Sequence, residues 1–381
     1  MIPAGLVLLV CLAGTPGPSL DGQASGWLVG SWTGTATGQG GLRYIPTLSL
    51  GTGSGQNPGL DAELAANGRV SAEVRPESSE TSARVKPYRL WLRLSGARYE
   101  ARAGLQKVNF GSATLLRPLQ WFDRLDPRDP LELTDGVYGL LGRYWFQNNA
   151  NLWAWGLIGN SSAKGWEVCG SERWTPEFGG RAQFPVPRGE VAATYHRRSF
   201  RYGVPQPPVP AETLAVAEDR VGLDGKWDVG VGCWFEATLQ RQGDGGTGGG
   251  ERWQRAGVLG LDYTFGIGSG LGVMVEHMSA GASTAALGTR SGLSDDPVMS
   301  LDAQVSAAMV SYPLGPVDDL SGIVFYDWQG SDVYGYLAWQ RTLDNWVLSA
   351  AAFWNPSGAA APVAGGGAAG KGLQLTVVFN H

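Results

Sequence analysis

Residues 227–240 read WDVGVGCWFEATLQ. Trp227, Val229, Val231, Cys233, Phe235, Ala237 and Leu239 share one parity; Asp228, Gly230, Gly232, Trp234, Glu236, Thr238 and Gln240 share the other. Successive side chains on a strand point to opposite faces, so this stretch predicts a strand with one apolar and one mixed face. The C-terminus repeats the pattern. Leu373, Leu375, Val377 and Phe379 alternate with Gly372, Gln374, Thr376 and Val378.

Across the rest of the chain, alternation of this kind marks eighteen segments, with fourteen to eighteen as the working range. They include 27–37, 41–50, 60–75, 87–95, 97–108, 136–147 and 226–241. Short turns are expected at Ser95-Gly96, Asn148-Asn149, Pro187-Arg188, Asp224-Gly225, Gly266 to Ser269 and Asp344-Asn345. Long connections are expected at 109–135, 161–178, 202–213, 242–251, 280–300 and 356–370. Short turns at one end and long loops at the other are the arrangement of an outer-membrane barrel. Aromatic residues near strand ends (Trp153 and Trp155; Tyr334, Tyr336 and Trp339; Trp346 and Trp354) read as interface girdles. In hydrocarbon only a closed sheet satisfies the strand edges. The sequence therefore predicts an all-β fold, a transmembrane antiparallel β-barrel.

Composition agrees. The chain has 381 residues with 58 glycines, 16 tryptophans and 17% charged residues. So many tryptophans exclude a disordered chain. The net charge of -5 argues against a nucleic-acid partner. Leu6 to Gly14 is a short apolar run followed by Pro16 and Pro18, and Gly22-Gln23-Ala24 offers small residues for cleavage. Residues 1–24 are expected to be a signal peptide, although no Lys or Arg precedes the run. Residues 25–381 then form one barrel domain. A lipid anchor at Cys11 is disfavoured by Val10. A disulfide between Cys169 and Cys233 is open outside the cytoplasm.

Two resemblances add to this reading. The terminal strand with Phe379 resembles the assembly signal of outer-membrane barrels, extended here by Asn380 and His381. The stretches 102–111 (RAGLQKVNFG) and 121–130 (WFDRLDPRDP) resemble a strand and loop of uncharacterised porin-like barrels. Those are distantly similar to alginate-export and capsule-assembly outer-membrane proteins. The resemblance implies a channel and carries over no catalytic or ligand residue.

The parity places a group of arginines in the lumen. Leu90, Leu92 and Leu94 face lipid, so Arg89 and Arg93 face inward. On the next strand Arg98, Glu100 and Arg102 face inward, and Arg143 joins them from 136–147. Pairing around Ser95-Gly96 sets Arg93 by Arg98 and Arg89 by Arg102. Adjacent like charges repel and Arg does not deprotonate, so this wall needs water, anions or carboxylates. Residues 109–135 offer Asp123, Asp126 and Asp129, and a connection of that length is usually functional. It is the candidate constriction loop; a structural salt-bridge network is the bland alternative. Calcium at Asp123–Asp129 is disfavoured because the spacing departs from the D-x-D-x-D-G loop.

Enzyme chemistry has one foothold. His277 and Ser279 lie two apart on a strand and share its lipid face, a pattern resembling that of outer-membrane phospholipase A and lipid A deacylase. The Asn-Gly that follows the phospholipase serine is Ala280-Gly281 here. His196 reads as a solvated or hydrogen-bonded residue. No zinc, Walker or dinucleotide motif is present, and Gly243 to Gly250 is glycine-rich without a following helix. The expected function is a passive outer-membrane channel for small polar or anionic solutes, with no cofactor and no metal. Its partners are the lipid bilayer and lipopolysaccharide. The alternatives are a structural or adhesion barrel with a plugged lumen and an acyl-ester lipid hydrolase.

Overall fold

In the computed structural model, residues 18–33, 35–51, 58–206, 209–243, 251–282, 302–356 and 370–381 are described. The leader run at 6–14, Cys11, residues 244–250 and most of 280–300 and 356–370 lie outside them. The described residues form eighteen antiparallel strands in one sheet. The first strand, β1 (Ser19–Thr33), pairs with both β2 (Thr35–Gly51) and β18 (Lys371–Asn380), so the sheet closes on itself. Closure sets Trp27 opposite Thr376 and Ala24 opposite Phe379.

Parity decides which face meets which medium. Leu28, Leu42, Leu92, Leu140, Leu259 and Leu375 are all exposed on the outside. The opposite parity carries the charged residues. Exposed aromatics gather where the short connections lie: Tyr144 and Phe146, Tyr263 and Phe265, and Trp346 against Phe379. Trp32, Trp253 and Trp328 are exposed toward the other end. Trp155, Tyr334 and Tyr336, expected in a girdle, are instead buried inside the barrel. Their parity places them on the lumen face, which outweighs their nearness to strand ends.

Several boundaries differ from the expectation. β1 begins at Ser19, so the strand already covers residues 19–24, the end of the stretch expected as leader. β3 (Gly59–Arg75) and β4 (Ser78–Ser95) form one long hairpin across 76–77. β5 (Tyr99–Gln106) follows a turn at 96–98, closed by the Gly96 N–H donating to the Tyr99 carbonyl at 2.8 Å. Asp224 and Gly225 sit inside β10 (Val209–Asp228), and the turn lies at 229–231 before β11 (Gly232–Gln242). The opening stretch 227–240 is therefore most of one strand plus the hairpin that feeds it. Cys169 and Cys233 are both free.

The remaining strands that position the interior are β6 (Val137–Trp145), β7 (Asn151–Leu157), β8 (Glu177–Val186), β9 (Gly189–Gln206), β12 (Arg252–Phe265), β13 (Leu271–Ala282), β14 (Ala303–Pro313), β15 (Asp318–Asp327), β16 (Asp332–Thr342) and β17 (Trp346–Trp354). The inner face has two halves. From β11 to β17 it is apolar, with Val258, Met278, Val305, Ile323, Phe325 and Phe353 buried together. From β2 to β10 it is rich in arginine and carboxylate.

Candidate functional site: the lumen and its loop

Between β5 and β6 the chain leaves the wall and crosses the interior. Leu116 is 0% exposed, and Leu119, Trp121 and Phe122 are equally enclosed. On one side Leu115 and Leu116 pack on Trp234, Val258 and Met278. On the other, Phe110, Trp121 and Phe122 pack on Leu141 and Trp155. A buried irregular segment must place its backbone N–H groups somewhere. Two wall carboxylates receive them. Glu276 on β13 accepts the N–H of Thr114 at 2.7 Å, of Leu115 at 3.0 Å and of Leu116 at 2.6 Å. Its Oε1 also accepts the Trp234 indole N–H at 2.9 Å. Glu236 on β11 accepts the N–H of Ala113 at 2.8 Å and of Leu119 at 3.0 Å. Gly111, at φ 102°, permits the close approach, since a Cβ there would stand 2.3 Å from Glu236 Oε1. Residues 158–176 lie against the loop, with the Gly165 N–H donating to the Asp123 carbonyl at 2.8 Å.

The loop carboxylates are spent inside the loop rather than aimed at the arginine wall. Asp123 is 3.4 Å from Arg117, Asp126 forms a two-pronged pair with Arg128, and Asp129 accepts the N–H groups of Leu131 and Leu133. Burial raises the Asp123 carboxyl above the ordinary aspartate range, with the Arg117 charge opposing. Burial raises Asp129 likewise, against its two N–H bonds.

The wall itself holds its parity but changes register. Arg93 lies opposite Arg102, and Glu100 lies opposite both Ser95 and Arg143. The wider turn at 96–98 moves the pairing past the position expected for Arg98, which is exposed in that turn. Glu100 stands 3.1 Å from Arg102, 3.7 Å from Arg93 and 3.9 Å from Arg143. Asp61 on β3 adds a 2.8 Å pair to Arg93. Trp91 stacks under Arg102 and Trp153 under Arg143. Arg89 is buried and donates to the carbonyl of Thr134, at the loop's end, at 3.1 Å. Two carboxylates, Asp61 and Glu100, thus neutralise part of the four-arginine wall.

Two groups went unread in the sequence. Arg43 on β2 and Arg69 on β3 face each other across the sheet and both stack on Trp27, at 5.4 and 4.6 Å. Neither makes an ion pair or side-chain hydrogen bond among the described residues, and both leave a buried Nε–H without an acceptor. They line a cavity of about 330 Å³ between β1–β3, β16–β18 and loop residues Asp126 to Leu131. A second cavity of about 540 Å³ lies further along β1, β2 and β18, toward the short-connection end. Across the lumen, β8–β10 carry Arg181 paired with Asp224 at 2.5 Å, and Arg198 and Arg220 paired with Glu218. His196 lies here, buried, its Nε2 3.2 Å from Glu177 and its Nδ1 accepting the Trp155 indole N–H. Assigning Asp224 to a turn is what hid this network; kept in the strand, it shares parity with Glu218 and Arg220.

His277 and Ser279 both face outward as expected, but His277 is joined elsewhere. Its Nδ1 lies 2.9 Å from Ser306 Oγ on β14, and the Trp328 indole N–H donates to that same oxygen. Among the described residues no His, Cys, Asp and Glu cluster could hold a metal.

The closed eighteen-strand antiparallel barrel is similar in fold to several solved structures. OccAB1 of Acinetobacter baumannii superposes with a TM-score of 0.56 at 10% identity, over 95% of this chain and 95% of that chain. OccK5 (OpdH) of Pseudomonas aeruginosa gives 0.55 at 10%, over 96% and 98%. OccK7 (OpdD) of the same organism gives 0.55 at 8%, over 96% and 99%. At such identities the likeness is one of fold. No family model matches the sequence, and no curated protein does.

Proposed function

We propose that the protein is a passive channel of a Gram-negative outer membrane for small polar solutes, with a preference for anions. One observation carries the reading. Two cavities stack along β18, β1 and β2 beside the lumen loop, and the inner one is lined by Arg43 and Arg69, neither held in an ion pair, with the loop's Asp126, paired to Arg128, and Asp129, bonded to its own backbone, on the facing side. Fixed guanidiniums beside a narrow path concentrate anions and disfavour cations. The outward leucines and aromatic pairs support a bilayer around the barrel, and lipopolysaccharide is the expected outer-leaflet neighbour. The long connections would face outward and the short ones the periplasm. The alginate-export likeness of 102–111 and 121–130 falls on β5 and the lumen loop, and it supports a channel without naming a solute.

The test is planar-bilayer conductance of the refolded barrel, with reversal potentials in a salt gradient. Anion-selective steps are expected, moving toward cation selectivity in Arg43→Ala/Arg69→Ala. A barrel that inserts and never conducts is plugged, which sinks the channel reading. Acyl-ester cleavage lost in Ser279→Ala or Ser306→Ala would replace it with a hydrolase.

A further inference from the structure

A separate cavity of about 500 Å³ lies on the other side of the lumen loop, toward the long connections. Trp121 of the loop, Trp166 of residues 158–176 and Phe200 of β9 supply aromatic surface. Thr238, Gln240 and Gln254 supply the upper inner face of β11 and β12.

The charges beneath it are already matched. Arg198 and Arg220 each meet both Glu167 and Glu218 at 2.5 to 3.0 Å. Gln242 donates to Glu218 at 2.6 Å. Two guanidiniums against two carboxylates leave no local net charge. Arg252, at the rim, is itself engaged, and Arg255 is exposed on the outward parity of β12 with Trp253 and Leu259.

The neutral groups are not matched. Thr238 Oγ1 and Trp121 Nε1 are buried without a hydrogen-bond partner. The carboxamides of Gln240 and Gln254 stand opposite each other across the ladder, and neither makes a hydrogen bond among the described residues. Buried polar groups left open in a cavity are the mark of a missing partner. At the matched floor an ion would find no counter-charge, and a wholly apolar solute would strand the hydroxyl and the indole N–H. Hydroxyl groups both donate and accept, so they suit a carboxamide, a hydroxyl and an indole together. The size and the mixture of aromatic surface with a few polar groups suit a small-molecule site.

We propose that this cavity binds a neutral hydroxylated ring, a pyranose sugar, with its C–H faces on the aromatic side chains and its hydroxyls on Thr238, Gln240, Gln254 and the Trp121 N–H. The site does not depend on the arginines of the opposite wall.

Isothermal titration of the folded barrel in detergent tests it, with maltose as probe and glucose and glucuronate as a pair differing at C6, a neutral hydroxymethyl group against a carboxylate. Saturable binding of maltose is expected, with glucose favoured over glucuronate. Gln254→Leu and Trp166→Ala should each weaken maltose about tenfold, as for losing one good contact in a buried site. Trp166 is half-exposed, so its variant remains informative if Gln254→Leu fails to fold. No saturable binding of neutral sugar, preference for glucuronate, or unchanged affinity in Trp166→Ala overturns the proposal. Calorimetry requires no conductance, and reversal potentials should be the same in both variants as in the parent, so this result and the channel result are independent.

Discussion

The backbone N–H of Leu116 donates to Glu276 Oε2 at 2.6 Å across the barrel interior. With the neighbouring bonds from Thr114 and Leu115, it makes one wall carboxylate the acceptor for three successive N–H groups of a crossing loop. A buried hydrogen bond contributes about 0.5–1.5 kcal/mol net, and leaving its donor without an acceptor costs about 1–3 kcal/mol. Burying Leu115 and Leu116 contributes roughly 1.5–3 kcal/mol per side chain.

Glu276→Ala should therefore undock the loop, because each N–H left without an acceptor costs about 1–3 kcal/mol. Glu236→Ala strands two such groups and should have the smaller effect. The expected outcome is larger and noisier single-channel conductance, with Glu276→Gln between the parent and the alanine variant. Unchanged conductance in Glu276→Ala would mean that packing alone holds the loop across the pore.

Strand parity was readable without the structure; turn positions and the path of the loop were not. Asp228 pairs with Gly232, so an odd-length turn sits between residues of equal parity. The apolar alternation consequently runs straight through, with Val229 and Val231 exposed in the turn itself. Nothing in the local pattern marks it. At Ala65/Ala66 a bulge shifts the pairing with β4, so Lys86 and Arg89 approach the same loop end despite their differing parity. The loop's destination had a signal that was passed over. Glu236 and Glu276 are carboxylates at mid-strand on the lumen face, and such groups need donors. Local pattern cannot say that those donors come from residues more than a hundred positions away.

β1 gives the leader reading a testable boundary. The Gly22 N–H donates to the His381 carbonyl and the His381 N–H to the Gly22 carbonyl, both at 2.9 Å. Tyr44 Oη lies 3.1 Å from His381 Nε2. Cleavage after Ala24 would remove one partner of this seam and expose strand edges. The mature N-terminus is expected at or before Ser19. Intact mass of the membrane-extracted protein reads it directly, and a mass beginning at Ser25 would contradict the seam.

The loop also predicts a pH response. Asp123 and Asp129 have raised carboxyl pKa values through burial, so both bind a proton above the ordinary aspartate value of about 3.9. Their contribution to loop docking is full below that ordinary value and is lost as pH rises through the raised values. Protonation also leaves the lumen more positive. Mild acidification should strengthen anion selectivity before ordinary surface carboxylates titrate. Asp123→Asn/Asp129→Asn should flatten that response. Selectivity that moves only in the ordinary carboxylate range would remove these two groups from the account.

The arginines then predict an order of effects. Arg93 and Arg102 share Glu100, and Arg93 also holds Asp61. Arg43 and Arg69 share the face of Trp27 and make no ion pair, although Asp126 and Asp129 line the same cavity. Arg98 is exposed in the 96–98 turn. At moderate salt a fixed charge acts over about 8–10 Å, so a carboxylate in contact cancels most of an arginine's field. Arg43→Ala/Arg69→Ala should shift the reversal potential furthest toward cations. Arg93→Ala/Arg102→Ala should shift it less, because those side chains do not line the cavities along β18, β1 and β2, although Glu100 and Asp61 are left uncompensated. Arg98→Ala should leave it nearly unchanged. All three shifts should shrink as salt is raised, since screening shortens the reach of each charge. If Arg98→Ala instead matches the Arg43/Arg69 pair, the permeation path follows the β4–β6 wall rather than the cavities along β18, β1 and β2.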